Sequence, residues 1–264
     1  MSRLPTFYVP HGGGPCFFMD WNPRDAWEPM ARYLRGIEAG LSQPPKALLV
    51  ISAHWEERVP TVLASAAPPL LFDYYGFPAH TYALTWPAPG EPALAAKVQA
   101  LLSAAGIPNA SDTTRGWDHG VFIPMKIAFP NAHVPTVQLS LQAGLDPAAH
   151  LAIGRALAPL RDEGVLILGS GMSFHNMRMF GSPEALPASQ RFDAWITETI
   201  AAPHAIREEQ LRAWAQAPGG RVAHPREEHL LPLMVAAGAA GADAGRVVFR
   251  DTVLGAQVSA VQFG

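Results

Sequence analysis

Seven short runs of apolar and β-branched residues govern what this chain can fold into. They lie at 6–9, 47–53, 61–65, 134–141, 164–168, 246–249 and 257–262. Runs of this length, bounded by Gly, Pro and polar residues, read as buried strands. Helical periodicity fills the gaps, at 24–40, 91–105, 147–161, 189–202, 205–216 and 226–238. Asn22-Pro23 and Asp146-Pro147 each set a capping residue ahead of a Pro in a first turn. His224-Pro225 leads into Arg226-Glu227-Glu228, which puts acid at a helix start. Strands alternating with helices predict an α/β fold: a three-layer sandwich with a mixed, mostly parallel central sheet and helices on both faces. The mixed character follows from the link between 47–53 and 61–65, which is too short for a crossover helix. No repeat, low-complexity tract or linker interrupts the pattern, so residues 1–264 are expected to form one catalytic domain.

A chain of 264 residues, 49% of them hydrophobic, can build its core without help from a disulfide or a metal. The single cysteine, Cys16, excludes an internal disulfide and any thiolate-built zinc or iron–sulfur site. It fits a reducing cytoplasm and is expected to be buried. Lys and Arg number 19 against 22 Asp and Glu, a net charge of −3, and no basic cluster breaks the balance. A nucleic-acid partner is therefore not expected. The apolar stretches fall well short of the roughly 20 residues that span a bilayer. The N-terminal run, broken at Pro10, does not read as a signal peptide. These features predict a cytoplasmic protein without a membrane partner, and they leave its oligomeric state open.

The ten histidines carry the functional signal. His11, His54 and His175 each fall at or just beyond the carboxyl end of a predicted strand, the edge where open α/β sheets bind ligands. Imidazoles from three strand ends can converge on one Zn, Fe or Cu ion. The competing reading is three separate, partly buried histidines, each satisfied on its own. Gly12-Gly13-Gly14 after His11 would let backbone approach a ligand, but it has neither the Lys of a P-loop nor the G-x-G-x-x-G spacing. Gly116-Trp117-Asp118-His119-Gly120 precedes a short helical run with Pro124 and Met125. It is either an Asp-capped turn or a histidine aimed at the site. His229 follows Glu228 near a predicted helix start, and Glu228 would be the carboxylate of a two-histidine, one-carboxylate site. His80 reads as part of a surface loop, with a loop over the site as the alternative, and His133, His150 and His204 receive no role. Trp55, Trp117 and Phe174 suit either a ring-binding wall or the core.

Taken in order, His11-Gly12-Gly13, Ser52-Ala53-His54-Trp55, Trp117-Asp118-His119-Gly120, Gly169-Ser170-Gly171 with His175-Asn176, and Glu228-His229-Leu230-Leu231-Pro232-Leu233 resemble the class III extradiol ring-cleavage dioxygenases. The nearest branch is the one that includes the 4,5-DOPA extradiol dioxygenases, and the resemblance covers nearly the whole chain. It implies a mononuclear non-haem Fe(II) site that opens a catechol-type ring with O₂ to a muconic semialdehyde-type product. Zn(II) is possible in the purified protein. By motif position His11, His54 and His229 are the implied metal ligands. His175 is the implied acid–base residue, close enough to coordinate the metal as well, and His119 a second catalytic histidine facing substrate. The protocatechuate-cleaving relatives complete their triad with Glu where this chain has His229, which weakens the case for Glu228 as a ligand. A zinc hydrolase built on the same histidines, or a non-enzymatic binding protein on the same scaffold, are the alternatives. If the substrate carries a carboxylate, Arg115 and Arg178 are the cations that could meet it.

Overall fold

The apolar runs become strands of one sheet. A computed structural model of the protein describes residues 3–264. In chain order its strands and α-helices are β1 (Thr6–Pro10), α1 (Glu28–Ala39), β2 (Ala47–Glu57), β3 (Thr61–Leu63), α2 (Pro92–Ala104), β4 (Ala110–Asp112), α3 (His119–Ala128), β5 (Thr136–Gln142), α4 (Pro147–Leu157), β6 (Val165–Gly171), α5 (Ala185–Ala201), α6 (His204–Arg212), α7 (Gly220–Ala223), α8 (Leu231–Ala240), β7 (Gly245–Val253) and β8 (Ala256–Phe263). The strands lie in the order β4-β3-β5-β2-β6-β1-β8-β7. The four central strands, β5-β2-β6-β1, are mutually parallel. The antiparallel pairings are β3 with β5, β1 with β8 and β7 with β8. This is the expected mixed, mostly parallel sheet.

Side-chain alternation assigns the two faces. Thr6 and Tyr8 point to the α8 side, where they donate hydrogen bonds to the carbonyls of Ala236 and His229. Ser52 and Ser170 point to the other side and meet Asp118 and Gly120 at the start of α3. α8 packs between the sheet and α4, and all ten of its residues are buried. That explains why its sequence is apolar all round, without an amphipathic stripe.

Several boundaries move, and proline is the common reason. A helix cannot carry Pro beyond its first turn without losing a hydrogen bond and clashing with the preceding carbonyl. The run predicted at 226–238 therefore starts at Leu231, with Pro232 in the first turn, and 226–230 is a turn. The run predicted at 24–40 likewise starts at Glu28, beside Pro29. Past Leu157 the run predicted at 147–161 tightens into a 3-10 segment, Ala158–Glu163, that contains Pro159. The link between β2 and β3 is short as predicted, yet the two strands are not neighbours. β5 lies between them, parallel to β2 and antiparallel to β3 at Val62. A strand as apolar as β2 is stabilised most as a central strand with a partner on each side.

Candidate metal centre

The carboxyl edge of the parallel strands gathers the histidines. His11 follows β1 directly, and its N–H donates to the Gly171 carbonyl at 3.1 Å. His54 lies within β2, not beyond it, in the stretch where the register against β5 shifts between Ile51 and Glu56. Its N–H donates to Ser52 Oγ at 3.2 Å. His229 precedes α8, and its carbonyl accepts from Tyr8 Oη at 2.7 Å and from the Met172 N–H at 3.1 Å. His175 lies four residues past β6, with its N–H on the Ala223 carbonyl at 2.9 Å. His119 is the first residue of α3.

Backbone anchoring turns three rings toward one point. His11 Nε2 and His54 Nε2 are 3.2 Å apart, and His54 Nε2 and His229 Nε2 are 3.3 Å apart. Two nitrogens each about 2.1 Å from one ion would be roughly 3.0 Å apart at a right angle and roughly 3.4 Å apart at a tetrahedral angle. The observed separations fall in that interval, so this donor set fits a single transition-metal ion. Its protonation state fits too. Burial, reinforced by the neighbouring imidazoles, holds His11 and His54 well below the usual histidine range, and burial takes His229 down to about 3. Neutral imidazole is the form that ligates.

Carboxylates stand behind the rings. Glu228 is not turned into the centre; its Oε1 pairs with His229 Nδ1 at 3.0 Å. Burial pushes the Glu228 carboxyl up, but hydrogen bonds from His175 and His229 outweigh it and hold the group far below the usual range. His175 is outside the set of three converging Nε2 atoms. Its ring stacks on His229 with centroids 3.3 Å apart, and its Nδ1 is 3.5 Å from Glu228 Oε1. His119 packs on His54 with centroids 3.8 Å apart and binds Asp73 through Nδ1 at 2.8 Å. Asp73 is the site residue that sequence reasoning missed. Its signal was a lone acid in Leu70-Leu71-Phe72-Asp73-Tyr74-Tyr75, an otherwise apolar and aromatic loop segment.

Asp118 occupies the N-cap position of α3, but its side chain makes no capping hydrogen bond. Its buried carboxylate instead accepts from Ser52 Oγ at 2.7 Å, from Arg115 at 3.1 Å and from Gln138. Arg115 is thereby committed: it also donates to the His54 carbonyl at 3.3 Å and lies 4.7 Å over the Trp55 ring. Arg178 is exposed and lines a recess that adjoins the histidines at His175 and Met177. Trp55, Trp117 and Phe174 are buried in the core. Cys16 is buried as expected, and burial pushes its thiol up.

The five histidines line one cavity of about 290 Å³, walled by Trp27, Met172, Met177, Phe180 and Leu254, with Gly12–Gly14 along one edge. That volume is at the lower end of small-molecule sites, which run from roughly 300 Å³ upward. The family model for the catalytic LigB subunit of aromatic ring-opening dioxygenase matches residues 5–262. The chain belongs to the LigB family. Membership confirms the resemblance to class III extradiol dioxygenases, and the protein is an extradiol ring-cleavage dioxygenase. Among its LigB relatives, a 4,5-DOPA dioxygenase extradiol from Beta vulgaris is 40% identical, covering 89% of this chain and 87% of that protein. The dioxygenase tasH of Hapsidospora irregularis is 36% identical over all of this chain and 86% of its own. An uncharacterized protein from Escherichia coli K12 has a crystal structure that superposes with a TM-score of 0.80 at 30% identity, over 99% of this chain and 100% of that one. LigB dioxygenases depend on a metal, and this His-rich site could hold it: the three converging imidazoles are one group of donors close enough, beside His54 with Asp73 and His119, and His175 with Glu228 and His229. Among the described residues no helix is long and apolar enough to cross a membrane.

Proposed function

We propose that the protein opens a catechol-type ring beside its two hydroxyls with O₂, giving a muconic semialdehyde-type product. The observation that carries this reading is the convergence of three neutral Nε2 atoms in a cavity that two further histidines line. His11, His54 and His229 would hold a single Fe(II), and the same three imidazoles would accept Zn(II). Bound iron supplies Lewis acidity to the catechol oxygens and redox capacity toward O₂.

The chain's own residues bind, orient and move protons. His175 stacks on His229, and His119 packs at a tilt against His54, so each adjoins one of the three ligands. Either can take a proton from a substrate hydroxyl and return it as the ring opens. The mainly apolar wall of Trp27, Met172 and Phe180 holds a planar ring and keeps bulk water from it. A substrate carboxylate would meet Arg178, since Arg115 is occupied by Asp118. The chain acts as one catalytic domain, and the lone buried Cys16 supports a cytoplasmic setting.

Anaerobic loading with Fe(II), followed by a panel of catechols in an O₂ electrode, tests the reading. The expected result is O₂ uptake with a yellow ring-fission product. A fully loaded protein that takes up no O₂ with any catechol would overturn it, and hydrolysis indifferent to O₂ would favour a zinc hydrolase instead.

A further inference from the structure

Asp73 reaches His119 through a local register. The segments around residues 70 and 117 run side by side, with Leu70 and Trp117 forming a parallel bridge. The Trp117 N–H donates to the Pro69 carbonyl and the Leu71 N–H to the Trp117 carbonyl, both at 2.8 Å. Gly116 permits this approach, because a Cβ there would lie 2.5 Å from the Pro69 carbonyl oxygen. Two residues on from Leu71 and from Trp117, Asp73 faces His119. Its Oδ1 accepts from the His119 backbone N–H and is paired with the ring Nδ1, each at 2.8 Å. Its Oδ2 lies 3.9 Å from His54 Nδ1, too far for a hydrogen bond.

One oxygen thus grips both the backbone and the ring of the same histidine. An ionised carboxylate only accepts, so Nδ1 must carry the hydrogen and a neutral His119 keeps its Nε2 lone pair for the cavity. We propose that Asp73 is a positioning residue for ring cleavage, holding His119 in the Nδ1–H form so that Nε2 accepts a hydrogen bond from a substrate hydroxyl. This rests on reading the cavity as the ring-cleavage site. Glu228 grips one of the three converging histidines, whereas Asp73 grips one outside that set. Removing Asp73 should therefore leave the metal in place.

The test uses zinc-loaded, ¹⁵N-histidine-labelled protein, with His119 assigned by its loss in a His119→Gln variant. Long-range ¹H–¹⁵N spectra should show Nδ1 protonated in the wild type and the Nε2–H form gaining in Asp73→Ala. In the iron-loaded enzyme Asp73→Ala should lower kcat by about 10- to 100-fold, taking the range seen for carboxylate partners of metal-ligating histidines as the guide. KM and metal per chain should change little. Asp73→Asn is the conservative rescue and the fallback if the alanine variant does not fold. Its amide oxygen still accepts, so it should keep the Nδ1–H form and most of kcat. An Nε2–H wild type, a tautomer unmoved in Asp73→Ala, or an Asn variant that keeps the tautomer yet loses kcat as fully as Ala would each overturn the proposal. Correct tautomers in a protein without O₂ uptake would instead count against the ring-cleavage reading alone.

Discussion

Replacing Gly120 by Ala adds one methyl group where α3, β2 and β6 come closest, beside two of the site histidines. Gly120 is the second residue of α3, and its backbone is one that Ala can adopt. The obstacle is space. The new Cβ would fall well inside 3.0 Å of Ser52 Oγ, 3.0 Å from His54 Cδ2 and 3.2 Å from Asp118 Oδ1. Ser52 cannot yield, because its hydroxyl bonds Asp118 at 2.7 Å and accepts the His54 N–H at 3.2 Å. Relief must come from α3 backing away, which stretches the Ser170 hydrogen bond to the Gly120 carbonyl and carries His119 with it. Overpacking of this kind costs about 1–3 kcal/mol, against a helix-propensity gain of at most about 1 kcal/mol. With a mid-range cost of about 2 kcal/mol the net is destabilisation of about 1–2 kcal/mol, or a Tm lower by about 2–8 °C for a chain of this size. Gly36 supplies the control. It is exposed in α1 with nothing within 4 Å of a built Cβ, so Gly36→Ala should raise stability by about 0.5–1 kcal/mol. Thermal unfolding of both variants, with ring-cleavage rates alongside, reads the difference. A Gly120→Ala protein with wild-type Tm and wild-type turnover would refute the packing argument.

The ligand assignment predicts a split between two alanine variants. His54→Ala should lose the metal, while His175→Ala should keep most of it and lose turnover; elemental analysis beside an O₂ electrode checks both, and full metal in His54→Ala would show the ligand set to be wrong. Acid should destabilise the metal-free protein in part through His224, which burial brings down to about 3 from an ordinary 6.5. Below pH 6.5 the unfolded chain binds a proton that the folded chain refuses, so this contribution is intact above 6.5 and is lost as pH falls toward about 3. Its slope is at most about 1.4 kcal/mol per pH unit. Denaturation of His224→Gln across that window should show the shallower dependence, and parallel curves would contradict it.

Much of the site was legible because strand ends are legible. A strand announces itself through a local apolar run, and a histidine just past such a run is carried to the binding edge of an α/β sheet. That logic located His11 and His175, and brought in His54 although β2 runs on past it. His119 and His229 were candidates from their local surroundings, a turn and a helix start and not a strand end, and the family resemblance supplied their roles. Glu228 was legible as a carboxylate beside the site, but its direction was not. Whether it faces the metal or the back of His229 depends on a rotamer set by the neighbouring rings. Asp73 was illegible for a related reason. Its meaning comes from a partner 46 residues away, and the isolated bridge that delivers it leaves no strand-length pattern in either segment. The prolines that shift α1 and α8 were in plain view, but Pro23 and Pro225 satisfy the same first-turn rule, so the rule alone did not choose the helix starts.

By itself the amino-acid sequence determined the class of fold, the strands and most helices, the exclusion of thiolate chemistry, and a set of histidines placed to meet. Those properties follow from short-range periodicity and from the donor chemistry of single residues. Tertiary structure decided the rest. It set β5 between β2 and β3 and brought the His54 and His229 Nε2 atoms, 175 residues apart, to 3.3 Å. It also turned Glu228 and Asp73 to the backs of the rings and bound Arg115 to a buried Asp118. Each depends on which side chains share a close-packed volume, and a one-dimensional pattern does not carry that information until the chain has folded.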